Sequence, residues 1–92
     1  MAKHEKTLKA IFAKPTSGTI DWRKIESLFV SLGAEVIEGA GSRVVFILNE
    51  IEGHFHRPHP RKETSKGAVE SARDFLTQAG FAPVEPEQDE ED

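Results

Sequence analysis

AEVIEGAGSRVVFILN, residues 34–49, is the stretch that decides the fold. Up to Gly33 the apolar residues recur every three to four positions, and from Ala34 they alternate, so the chain passes here from helix to strand. Residues 34–38 predict one strand, Gly39-Ala40-Gly41-Ser42 a turn, and residues 43–49, rich in β-branched and apolar side chains, a second strand. The pair is a β-hairpin. In its second strand Val44, Phe46 and Leu48 share one face and Arg43, Val45 and Ile47 the other, which leaves Arg43 at the mouth of the glycine-containing turn.

Towards the C-terminus, residues 49–53 predict another turn. His54 to Arg57 then predict a short third strand, stopped by Pro58 and again by Pro60 because proline brings no donor to a ladder. Thr64 or Ser65 can cap a last helix whose inner stripe is Val69, Ala72, Phe75, Leu76 and Ala79, ended by Gly80 and followed by Phe81. Towards the N-terminus, Trp22, Ile25, Leu28, Phe29 and Leu32 form the apolar stripe of a helix capped by Asp21 and terminated at Gly33. Before it, residues 3–13 carry Leu8, Ile11 and Phe12 at helical spacing and end ahead of Pro15. The predicted order is α-α-β-β-β-α. Three antiparallel strands need a cover on one face, and the stripes of the second and last helices supply it. The fold class is therefore α+β, a three-stranded antiparallel sheet backed by helices and compatible with double-stranded-RNA-binding-like domains.

Ninety-two residues, 37% hydrophobic and 30% charged, with six Phe and one Trp, support one domain with a modest core and exclude a multidomain enzyme. That domain is expected over residues 1–81, followed by a disordered acidic tail over 82–92. The absence of Cys excludes disulfides, thiolate metal sites and Cys nucleophiles, and fits a reducing cytosol. Val44 to Leu48, the longest nearly apolar run, is too short to span a bilayer, and no signal-peptide region follows Met1, so a soluble cytoplasmic protein is expected. The net charge of −4 hides an asymmetry. Glu85, Glu87, Asp89, Glu90, Glu91 and Asp92 hold six of the sixteen acids and no base, so ten acids face twelve bases in Met1 to Val84, a net of +2. Arg57, Arg61, Lys62 and Lys66 gather with three of the four His between His54 and Lys66, making that stretch the expected anion-facing surface.

His54-Phe55-His56-Arg57-Pro58-His59-Pro60 is the most unusual segment, and three roles compete for it. In nucleic-acid chemistry a neutral imidazole takes a 2′-hydroxyl proton, an imidazolium protonates a leaving oxygen, and guanidinium holds the phosphate. His54, His56 and His59 also make a loose His-x-His-x-x-His zinc pattern without an evident fourth ligand. The third role is an edge strand kept polar against aggregation. Gly39 to Arg43 reads first as a hairpin turn and second as a phosphate cradle; Lys66-Gly67 is equally two-sided, and Trp22 with the Phe stripe reads as core.

Gly41-Ser42-Arg43-Val44-Val45-Phe46, then Phe55-His56-Arg57-Pro58-His59-Pro60, then Lys66-Gly67-Ala68-Val69 through Phe75-Leu76 to Ala79-Gly80-Phe81, in this order and spacing, resemble the HicA family of toxins from bacterial toxin-antitoxin pairs. The resemblance runs from about Ile20 to Phe81, and a divergent branch with His-Arg-Pro-His-Pro matches from Lys6 onward. It implies a double-stranded-RNA-binding-like fold, action on messenger RNA without a metal or other cofactor, and neutralisation by a HicB-like antitoxin. The family pattern is Gly-Ser-His with a catalytic His, whereas this chain has Arg43 there, and a guanidinium cannot serve as a base. Either His56 or His54 has taken over proton transfer or this branch binds RNA without cutting it. The expected catalytic residues are His56, Arg43 and His59, with Ser42, Arg57, Arg61, Lys62 and Lys66 on the RNA and no metal ligands.

Overall fold

The computed structural model of the chain describes residues 3–83. Its elements are α1 (Lys3–Phe12), α2 (Trp22–Ser31), β1 (Glu35–Glu38), β2 (Arg43–Leu48), β3 (Ile51–His56) and α3 (Lys66–Gln78), the α-α-β-β-β-α order and α+β class read from the sequence. Asp21 caps α2 by accepting the Arg23 amide, and Gly33 follows the helix at φ 104°, a left-handed conformation that glycine adopts without steric cost. Ser65, rather than Thr64, caps α3 by accepting from the Ala68 amide. Thr64 is instead buried between strand and helix, its amide donating to the Ile20 carbonyl. The acidic tail, from residue 84, lies outside the described residues.

The sheet is antiparallel in the order β1-β2-β3. One face is dry. Val44, Phe46, Leu48 and Phe55 pack there against Ile25, Leu28, Phe29, Val69, Phe75 and Leu76. Phe29 stands at the centre, edge-on to both Phe46 and Phe75 at centroid distances of 4.9 and 5.0 Å, a preferred aromatic geometry. Each such buried side chain contributes about 1.5–3 kcal/mol relative to exposure. Arg73 on α3 ties α1 to this core, donating from Nε to the Ile11 carbonyl and from Nη2 to Thr16 Oγ1.

One sequence expectation is corrected. The turn predicted over 49–53 contains only Asn49 and Glu50, both at positive φ (52° and 69°), the geometry of a two-residue hairpin connection whose twist matches the flanking strands. Asn49 Nδ2 also donates to the Ala79 carbonyl, anchoring the turn to the end of α3. The third strand, expected from His54, therefore starts at Ile51 and has six residues. Gly53 reads as a turn residue in sequence but lies inside this strand, opposite Phe46, because a Cβ there would sit 2.7 Å from the Phe75 ring and 2.9 Å from the Phe55 ring.

Candidate functional site

The other face of the sheet is open, and strand alternation decides what it displays. Arg43 and His56 are direct cross-strand partners, as are Val45 and His54, and Ile47 and Glu52. The Arg57 amide donates to the Ser42 carbonyl at 2.8 Å, which marks Ser42 and Arg57 as a hydrogen-bonded rung. The next rung, Arg43 with His56, is then a non-hydrogen-bonded one, in which opposed Cβ atoms lie about 4.5–5.5 Å apart. Both side chains leave the same face of the sheet, and both residues are exposed. Gly39 lies across β2 from His56, and a Cβ there would meet Arg43 Cβ at 3.1 Å, so this position leaves the arginine stem its room.

His56 also joins two hollows. A recess of about 340 Å³ on the sheet is lined by Gly39, Arg43, Val45, His54 and His56 among others. A cleft of about 360 Å³ runs from His56 past Pro58, His59 and Arg61 to Glu63 and Ser65 at the start of α3. Ser42 Oγ lies 3.4 Å from His56 Nδ1, and among the described residues Nε2 of that ring has no hydrogen-bond partner. His54 Nε2 lies 3.2 Å from Glu52 Oε1 on the same exposed face. Among the described residues no group of three or more His, Cys, Asp or Glu is gathered as ligands of a metal ion would be, so His54, His56 and His59 do not form the zinc cluster that their spacing permitted.

Arg57 lines the same cleft as His56, but its guanidinium is already engaged by carboxylates. It follows His56 and therefore leaves on the opposite side of the strand. There its guanidinium donates to Glu26 (Nε to Oε1, 3.0 Å; Nη2 to Oε2, 2.8 Å) and to Glu38 (Nη1 to Oε1, 2.6 Å; Nη2 to Oε2, 3.1 Å). Four of its five N–H donors are thereby engaged. The Trp22 indole N–H adds a third donor group to Glu26 at 2.8 Å. The hydrogen bonds from Arg57 hold the Glu26 carboxyl below its ordinary range against the opposing effect of burial, with Trp22 assisting. Arg57 lowers Glu38 in the same way, and the guanidinium is itself raised by Glu26 and then Glu38. This is a fastener between α2, β1 and the end of β3. Neither Glu26 nor Glu38 stood out in the sequence as a partner of Arg57.

Of the remaining cations, Arg61 and Lys62 share one hollow with Arg23 and Arg57, lined too by Pro58 and Pro60. Arg61 also lines the His56 cleft. The Lys62 carbonyl accepts the Trp22 amide at 2.9 Å, which fixes its backbone while the side chain stays exposed. Lys66, at the first turn of α3, lays its stem over Gly18, where a Cβ would lie 3.4 Å from its Cγ and Cε. The structure thus brings Arg43, Ser42, His56 and His54 together on the sheet, places Arg57, His59 and Arg61 along the adjoining cleft with Lys62 in the next hollow beside Arg61, and sets Lys66 at the first turn of α3.

A small helix-backed antiparallel sheet whose open face carries Arg43, His54 and His56 beside Glu52 and Glu35 defines an α+β domain of the double-stranded-RNA-binding-like class. The family model for the HicA toxin of bacterial toxin-antitoxin pairs matches residues 22–81. The chain belongs to the HicA toxin family. It is thus a toxin of a class opposed by an antitoxin and directed in general at RNA. No curated protein and no solved structure matches the chain. No helix among the described residues is long and apolar enough to cross a membrane.

Proposed function

We propose that this toxin is a metal-independent endoribonuclease that cuts mRNA in the cytoplasm and is neutralised by a HicB-like antitoxin covering the open face of the sheet. The observation that carries the proposal is the pairing of Arg43 with His56 across adjacent strands. Arg43 holds the scissile phosphate and stabilises the negative charge that builds on its oxygens. His56, with His59 as the second candidate, takes the proton from the 2′-hydroxyl, whose oxygen then attacks the adjacent phosphorus. With His56 Nδ1–H donating to Ser42 Oγ, Nε2 keeps the lone pair needed for that step. Arg61, Lys62 and Lys66 place the flanking backbone. Arg57, held by two carboxylates, serves the site by fixing the strand end on which His56 sits.

Purified protein, freed of its antitoxin, is expected to cut single-stranded RNA in the presence of EDTA. His56→Ala is expected to lower the rate about 10²–10⁴-fold, the usual share of a general base, while RNA binding persists. Intact RNA after prolonged incubation at high protein concentration removes the nuclease proposal. The second reading, an RNA binder that does not cut, rests on the sequence resemblance, which implies a catalytic His at the position of Arg43, where a guanidinium stays protonated. A gel shift without product bands decides for it.

A further inference from the structure

Resting on that nuclease reading, we infer that His54, held by Glu52, is the general acid that protonates the leaving 5′-oxygen. Cleavage by 2′-hydroxyl attack forms a bond from O2′ to phosphorus and breaks the bond from phosphorus to O5′. The products are a 2′,3′-cyclic phosphate and a 5′-hydroxyl. One proton must leave O2′ and one must reach O5′, so an enzyme without a metal profits from two proton carriers on opposite sides of one phosphate.

The open face supplies such a pair. His54 and His56 alternate on one strand with Phe55 between them pointing into the core, so both imidazoles project from the same side about 7 Å apart along β3. Both line the recess that also holds Arg43. Arg43 sits directly opposite His56 and diagonal to His54, within reach of a phosphate lodged between the two rings. A reacting oxygen must stand about 2.6–3.2 Å from its proton carrier, and the spacing of the rings leaves room for a phosphodiester between them.

The two rings are held differently. His56 meets a hydroxyl at Nδ1, a neutral partner that suits a ring receiving a proton at Nε2. His54 meets the Glu52 carboxylate at Nε2, 3.2 Å away. When His54 is an imidazolium, Nε2–H donates to that carboxylate and Nδ1–H remains to be given to O5′. Glu52 is a positioning residue, four rungs along the ladder from Arg43 and His56, and its register partner is Ile47, so it competes with no cation of β2. His59, by contrast, lies on the loop beyond Pro58, along the cleft rather than in the recess.

The test compares two short oligoribonucleotides, one ordinary and one with sulfur in place of the bridging 5′-oxygen at the cleavage site, whose thiolate leaves without being protonated. For the wild-type protein both are cut. His54→Ala and His54→Gln are expected to slow the ordinary substrate about 10²–10⁴-fold and the sulfur substrate by less than about tenfold, whereas His56→Ala slows both. Glu52→Ala is expected to reduce kcat on the ordinary substrate and change its pH profile, with Glu52→Gln, which keeps an acceptor, recovering most of the rate. Equal losses on both substrates, or no loss on either, for the His54 variants overturn the inference and leave the nuclease reading standing. Failure of the wild-type protein to cut either substrate overturns the nuclease reading and this inference with it.

Discussion

Gly53 lies on the dry face of the sheet, with the Phe75 and Phe55 rings occupying the space where a side chain would begin. Gly53→Ala limits the freedom of the unfolded chain, which by itself favours folding by about 0.4–1 kcal/mol. The contact at 2.7 Å opposes this, because both rings are buried among Phe29 and Phe46 and have no free volume to enter. Overpacking of this kind costs about 1–3 kcal/mol, so a lower melting temperature is expected, by about 4–8 °C for each net kcal/mol lost. Differential scanning calorimetry reads it directly. The sequence could not distinguish this glycine from a turn glycine, since the reason for it is a ring on α3, far along the chain. Arg57 was opaque in the same way. Its acidic partners lie 31 and 19 positions away, and nothing local separates an arginine bound to carboxylates from one awaiting a phosphate. Arg43 and His56, by contrast, could be read as neighbours because alternation and a short turn fix which residues of a hairpin share a face.

At the scale of elements, the Glu26, Arg57 and Glu38 fastener joins α2, β1 and the end of β3, and it responds to acid. Both carboxyls are lower in the folded than in the unfolded chain, so their contribution is fully present above the ordinary glutamate range and is lost as pH falls through the folded values. Urea midpoints measured from neutral pH down to about pH 3 are expected to fall below about pH 4.5, where glutamates ordinarily take up protons. Glu26→Gln is expected to be less stable than wild type at neutral pH and to approach it at the acid end. Equal separation of the two curves at every pH would remove the fastener from the account. The elements themselves were largely legible: Asp21 and Gly33 delimit α2, and the stripe of α3 is the one its spacing shows. The start of β3 was not, because Asn49-Glu50 lacks the glycine that marks such turns, and Gly53 supplied a false signal instead.

For the whole molecule, the net negative charge conceals a body with more bases than acids over residues 1–84. Binding to single-stranded RNA is therefore expected to weaken steeply with salt, with log K falling by about 0.7 per phosphate contacted for each unit of log salt concentration. Substituting Arg61, Lys62 or Lys66 by Ala is expected to flatten that slope by about one contact each, as read by fluorescence anisotropy across a salt series. An unchanged slope places the RNA elsewhere. The two-residue connection at Asn49-Glu50 bears on all of this from a distance. It lies at the far end of the β2-β3 ladder from Arg43 and His56, about 17 Å along the strands, yet it sets the parity of every rung between. One residue more or less at that tip, if the ladder slid to accommodate it, would turn both imidazoles inward and Phe55 out to water. The proposed poison is thus keyed to loop length, and a lineage could disarm it by a single-codon indel that leaves every proposed reactive side chain intact.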